Sequence, residues 1–253
     1  MIDLTGKKAF VTGGGTGIGR EIALMLGEAG ADVVVHYGKN KAGAEEVVEK
    51  IKGFGSNAFA VQGNVLIKDE IVSFMKDVSQ FYNGELDILV NNAGDKVSRT
   101  PIEEMSEEHW HKVMDVNVTS TFLVTQQAIP LMKEKGGKMI NMSSLAGYDG
   151  GGPGAAAYAA SKAAIATFSK GLAKELAPYK INVNTVAPGL IGDTPFHDRF
   201  TTDESRMNTV KTIPLKREGT PFDVAGAVLY LASNLSDFLT GETIDINGGV
   251  NMR

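Results

Sequence analysis

Lys8-Ala-Phe-Val-Thr-Gly-Gly-Gly-Thr-Gly-Ile-Gly19 is the stretch whose reading decides the fold. Lys8–Thr12 is a short apolar run suited to a buried strand, and Ile18–Gly30 carries apolar residues at helical spacing until a glycine stops it. Glycines between a strand and a helix let the backbone approach a pyrophosphate, and the helix N-terminus favours the anion. The spacing is T-G-x-x-x-G-x-G and not G-x-G-x-x-G, because position 18 is isoleucine. Arg20-Glu21 follows Gly19, whereas a nucleotide-hydrolase loop requires lysine and then serine or threonine. Gly13, Gly15, Thr16, Gly17, Ile18 and Gly19 are therefore candidate dinucleotide contacts.

Outward from this turn, short β-rich runs alternate with helical patterns, which predicts a parallel sheet with helices on both faces. Further strands are expected at Val33–His36, Ala58–Gln62, Leu86–Asn91, Lys138–Met142, Ile181–Ala187 and Thr243–Ile246. Helices are expected at Lys41–Phe54, Asp69–Tyr82, Ala157–Ala177 and from Thr220 to about Ala232. One long helix is expected from Ser106 to about Lys133, weakened late by Pro130. The fold class is α/β, a Rossmann-type doubly wound sheet of about seven strands. A single domain over 1–253 is expected, with a substrate lid at about 188–219.

Composition narrows the function. A net charge of −5 without a basic block disfavours nucleic acid, and the absence of cysteine excludes disulfides and thiol nucleophiles. No apolar run is long enough to cross a membrane, so a cytoplasmic enzyme is expected. His109 and His111 lie two apart on a helix and share no face, so no metal site is expected. The second strand ends His36-Tyr37-Gly38-Lys39-Asn40 without the carboxylate that binds the ribose hydroxyls of NAD. Tyr37 and Lys39 thus favour NADP(H), with NAD(H) possible.

A second stretch carries the chemistry, Asn141-Met-Ser-Ser-Leu-Ala-Gly-Tyr-Asp-Gly-Gly-Gly-Pro-Gly-Ala-Ala-Ala-Tyr158-Ala-Ala-Ser-Lys162. Residues at i and i+4 share a helix face, which puts the Lys162 ammonium beside the Tyr158 phenol. A neighbouring cation should lower the phenol pKa and make a proton shuttle. Ser144, folded back by the glycine loop, would bond the same substrate oxygen.

Taken together, Thr12–Gly19, Asn91-Asn-Ala-Gly94, Asn117, Ser144, Tyr158-x-x-x-Lys162 and Pro188-Gly189 resemble the short-chain dehydrogenase/reductase family along essentially the whole chain. The resemblance implies hydride transfer between nicotinamide and a carbonyl, with Tyr158 as acid/base, Ser144 polarising the carbonyl and Lys162 holding the ribose. It implies that Asn117 anchors a water relay to Lys162. Asn91, Ala93 and Gly94 would support the sheet and the adenine side, and Asn64-Val65 would meet adenine. Pro188, Gly189, Ile191 and Thr194 would flank the nicotinamide, although Gly192-Asp193 lengthens the approach to Thr194. Ser144 stands fourteen residues before Tyr158 where many relatives have thirteen, and Ser143 is the competing serine. The resemblance also implies a homotetramer, with Ala160, Ala164, Thr167 and Gly171 as a subunit contact.

Two substrate readings follow. His197 and Arg199 in the lid suit a small polar carbonyl such as a sugar or sugar-derived keto acid. The alternative is 3-oxoacyl-acyl-carrier-protein reduction, for which Lys135 is one of two cations expected near the active-site mouth, Tyr179 with Lys180 standing at the other. A non-catalytic dinucleotide sensor is the remaining class.

Overall fold

The computed structural model describes residues 2–200 and 202–252, and at 197 and 198 the backbone only. Seven parallel strands form one sheet in the order β3-β2-β1-β4-β5-β6-β7. They are β1 Lys8–Val11, β2 Asp32–Tyr37, β3 Ala58–Gln62, β4 Ile88–Asn91, β5 Gly137–Met142, β6 Ile181–Pro188 and β7 Thr243–Ile246. This is the doubly wound architecture expected from the sequence.

Alternation along the strands divides the core in two. Ala9, Val11, Val33 and Val35 pack with Ile22 and Leu26 of α1 (Gly17–Glu28), Val47 and Ile51 of α2 (Lys41–Gly53) and the later helix Pro221–Ala232. Phe10 and Val34, on the opposite face, meet Phe74 and Val78 of α3 (Lys68–Phe81). A small residue is required where two elements touch, as at Gly27, whose Cβ would stand 2.7 Å from the Ile51 side chain.

The expected single helix from Ser106 to Lys133 is instead three pieces. α4 (Glu107–Met114) passes through a wide π turn, Asp115–Thr119, into α5 (Ser120–Met132). Such turns add a residue to the helical repeat and redirect side chains, often at functional sites. Periodicity does not register one inserted residue. A short α6 (Ala146–Asp149) precedes α7 (Ala156–Leu176), and the sequence reading missed it inside the glycine-rich loop. The 188–219 excursion carries α8 (Pro195–Phe200) and α9 (Asp203–Thr212), and α10 is Pro221–Ala232. Its neck is closed, since Gly192 N–H donates to Gly219 O at 2.8 Å and Gly219 N–H to Leu190 O at 2.9 Å.

The sheet order reverses between β1 and β4, because the chain winds out through β2 and β3 and then returns across β1. A crevice must open at the carboxyl ends of these two strands. At the opposite end, the Tyr82 hydroxyl is buried between Ala9 O at 2.7 Å and Asp32 O at 2.8 Å. Tyr82→Phe should lower unfolding free energy by about 1–2 kcal/mol in urea titration, through loss of a buried hydrogen bond. A change within error would show that the hydroxyl contributes nothing to the sheet.

Candidate active site

The crevice is a cleft of about 940 Å³ running from the glycine turn to the 188–219 excursion. Its floor is set by Thr12, which follows β1. The Thr12 hydroxyl accepts from Asn92 and Ala93 N–H, each at 3.0 Å, and the Asn92 amide donates to Thr12 O at 2.9 Å. The two loops flanking the crevice are thereby stapled together. Gly13 and Gly17 take left-handed φ values of +65° and +52°, so side chains there would strain the turn. At Gly19 a Cβ would run into Gly13 O and the Asn92 amide.

His36 organises the same turn and was not singled out in the sequence. Its Nδ1 accepts from Gly13 N–H at 3.1 Å, and its Nε2 lies 3.0 Å from Gly63 O, which requires the Nε2–H tautomer. Burial lowers its pKa to about 4, so the ring is neutral at physiological pH.

Most of the other expected cofactor residues line the cleft: Thr16, Ile18, Lys39, Asn64, Val65, Ala93, Gly94, Pro188, Gly189, Ile191 and Thr194. Three do not. Gly15 packs on α2, its Cβ position 3.2 Å from Ala44 N. Tyr37 is buried away from the cleft, and His36 lines it instead, because adjacent strand residues face opposite ways. Asn91 lies inside the sheet, donating to Asn141 at 2.8 Å and Thr125 at 3.0 Å.

At the inner end, α7 turns Tyr158 and Lys162 to one face, both buried. Lys162 Nζ donates to Met142 O at 2.9 Å and lies 5.6 Å from the centre of the Tyr158 ring. Burial brings the Lys162 pKa down to about 7. The expectation that the cation would lower the tyrosine pKa is not met in this structure. Burial pushes Tyr158 up to about 12, Asp95 adds to the rise, and a hydrogen bond with Ser144 opposes it. Desolvation of the phenolate outweighs a lysine that burial itself discourages from carrying charge.

Ser144 is the serine that reaches Tyr158. Ser143 points the other way, its hydroxyl donating to Lys162 O at 2.8 Å. The additional loop residue is absorbed by Gly150, Gly151 and Gly154, all left-handed, which leaves the serine in reach. α6 lies directly on α7, where a Cβ at Gly147 would stand 2.8 Å from Ala163 N.

The π turn presents Asn117 to the same end. Its amide donates to Asp95 O at 2.7 Å and Val113 O at 2.9 Å, while its buried Oδ1 has no partner among the described residues. Asn117 Oδ1 and Lys162 Nζ converge on Gly94, at 2.5 and 3.1 Å from where its Cβ would begin. Position 94 must be glycine for the two to share that space. Asn117 does not line the cleft itself.

The 188–219 excursion packs against this end. Arg199 Nη1 pairs with Asp95 Oδ2 at 3.1 Å, and Arg99 donates to Phe200 O and Pro153 O, each at 3.0 Å. The His197 side chain lies outside the described residues. Lys135 pairs with Glu85 at 2.5 Å, just before β5, at the opposite end of the strands from the cleft. The cation expected at the mouth is therefore not there within one chain.

Turn, cleft, unpartnered Asn117 oxygen and the Ser144-Tyr158-Lys162 cluster together fit a bound dinucleotide with a carbonyl compound at its reactive end. Residues 13–251 match the family model described as enoyl-(acyl carrier protein) reductase, and the chain belongs to the short-chain dehydrogenase/reductase family of oxidoreductases. Among curated relatives, 3-oxoacyl-[acyl-carrier-protein] reductase FabG of Staphylococcus aureus is 43% identical over 249 residues, covering 97% of this chain and 98% of that one. The 3-oxoacyl-[acyl-carrier-protein] reductase of Synechocystis is 40% identical, covering all of both chains. The crystal structure of a putative short-chain alcohol dehydrogenase from Sinorhizobium meliloti superposes with a TM-score of 0.91 at 34% identity, covering 98% of this chain and 97% of that one. Among the described residues, no helix is long and apolar enough to cross a membrane.

Because the folded pKa of His36 lies near 4 and its unfolded value near 6.5, the unfolded chain binds the extra proton between them. Stability should fall as pH drops from about 6.5 to 4, by on the order of 3 kcal/mol. His36→Gln should lack this component in denaturation curves across that range. An unaltered pH dependence in the variant would refute the assignment.

Proposed function

We propose that this chain is an NADP(H)-dependent reductase that converts the ketone of a 3-oxoacyl group to a secondary alcohol. The observation that carries the reading is a buried Tyr158 phenol with Ser144 near enough to act on its pKa and the buried Lys162 5.6 Å from its ring centre. The names of the relatives favour the 3-oxoacyl alternative over the sugar reading. The position of Lys135 points to the acyl thioester, rather than the carrier protein, as the part this chain itself recognises.

When bound, the cofactor supplies the hydride. Tyr158 and Ser144 hydrogen-bond the ketone oxygen and orient the carbonyl. As that oxygen gains negative charge, the Tyr158 proton moves to it, because an alkoxide is a much stronger base than a phenolate. Lys162 then stabilises the phenolate and returns a proton. A lysine titrating near 7 is suited to that task, since it gains and loses a proton readily at neutral pH. Asn117 turns an unpartnered buried oxygen toward the space that Lys162 Nζ also faces, which supports the expected water relay between them. Ala160, Thr167 and Gly171 of the small-residue stripe are exposed and Ala164 half-buried, which supports the expectation of a homotetramer.

For the cofactor, Lys39 lines the cleft beyond a β2 terminus that carries no carboxylate. Lys39→Ala should weaken NADPH binding about tenfold relative to NADH in fluorescence titration, the size of one charge-assisted bond to phosphate. An unchanged ratio would remove Lys39 from the 2′-phosphate site. For the chemistry, Tyr158→Phe should lower kcat for NADPH oxidation with an acetoacetyl thioester by about 10²–10⁴. Cofactor affinity should hold within about threefold. Full activity in the variant would refute the proton-donor role.

A further inference from the structure

The cleft holds a lysine for which ketone reduction has no use. Lys96 follows Asn91–Asp95 and is only 6% exposed. Its Nζ stands 5.3 Å from the centre of the Tyr158 ring, 4.9 Å from that of Phe196 and 5.3 Å from that of Phe200. Three aromatic rings thus surround the ammonium, one of them the ring bearing the reacting hydroxyl and two from the lid. Such faces attract a cation but accept no conventional hydrogen bond. Burial pulls the Lys96 pKa down to about 8, Arg99 adds repulsion and Asp95 opposes it.

No described side chain or carbonyl pairs with this ammonium. Asp95 is committed elsewhere, with Oδ2 on Arg199 and Oδ1 accepting the backbone N–H of Lys96 at 2.8 Å. The other carboxylate lining the cleft, Asp149, accepts from Gly151 N–H at 2.8 Å. Arg99, Lys112 and Arg199 line the cleft as well. Cations therefore outnumber acids along the cleft that holds Lys96, in a chain whose net charge is −5. A hydrocarbon chain seated here would strip the remaining water and leave the ammonium donors unpaired, which is costly. A carboxylate would satisfy them.

We infer that Lys96 is a specificity-determining residue that takes a carboxylate carried by the substrate within a few bonds of its ketone. This rests on the ketone-reductase reading and narrows it. The carboxylate belongs either to a free 3-oxo acid or to the far end of a 3-oxoacyl thioester. In both, discrimination against a neutral analogue comes from the unpaired charge left behind.

The test measures kcat/KM for NADPH oxidation by the full chain on two matched pairs. One pair is 3-oxobutanoate and its methyl ester. The other is the 3-oxoglutaryl and acetoacetyl thioesters of N-acetylcysteamine. The wild type should prefer the carboxylate member of one pair by about 30-fold, and the pair showing it identifies the source. Lys96→Met should bring that ratio to within about threefold of one, while Lys96→Arg keeps it. If Lys96→Met does not fold, Lys96→Gln gives the same reading. Equal use of neutral and charged members by the wild type, or a preference that survives in the charge-removing variant, overturns the inference and leaves ketone reduction standing. Failure of every ketone to oxidise NADPH, with Tyr158→Phe indistinguishable from wild type, overturns the reductase reading itself.

Discussion

The parallel pairing of β1 with β4 is the constraint on which the rest depends. Once the chain has wound out through β2 and β3, the only free edge of β1 is the one that β4 takes. The loops after these strands must then diverge, since the helices that follow lie on opposite faces of the sheet. Thr12 turns that divergence into a rigid crevice by accepting two N–H groups from the β4 loop. The glycine turn, the His36 ring and the start of α1 are all built against this one joint.

Burial then sets the chemistry at the inner end. Lys162, Tyr158 and Asn117 are all withdrawn from water, and for the lysine and the tyrosine this moves the ionisation equilibrium toward the neutral form. The phenol is pushed toward its protonated form, the lysine pKa comes down to about 7, and the asparagine keeps an unspent acceptor. His36 obeys the same rule for a structural purpose, since only a neutral ring can accept from Gly13 and donate to Gly63. Lys39, Arg99 and Arg199 stand instead on the exposed side of the cleft, Arg199 with a carboxylate opposite.

Several features were legible in residue order because they are local. The glycine turn announces itself by composition, Tyr158 and Lys162 by helical spacing, and the strands by apolar runs between helices. The choice of Ser144 over Ser143 follows from strand alternation, but the glycines that let it reach Tyr158 show their left-handed φ only in the fold. Asn117 was legible as a residue and illegible as a geometry, because one extra residue in a helix leaves no periodic trace. Tyr37 and Gly15 failed as cleft residues for lack of information about which face each presents. Lys96 carried no motif, and its aromatic surroundings come from segments about sixty and a hundred residues away in the chain.

The sequence by itself determined the fold class, the strand that meets the cofactor turn and the tyrosine–lysine pair, all products of spacing within one or two elements. Only the tertiary structure decided the protonation of that pair, the pairing of Arg199 with Asp95, the burial of Lys96 and the removal of Lys135 from the cleft mouth. The physical reason is that spacing acts along the chain, whereas desolvation and charge act through space. A side chain's dielectric surroundings are assembled from segments that only folding brings together.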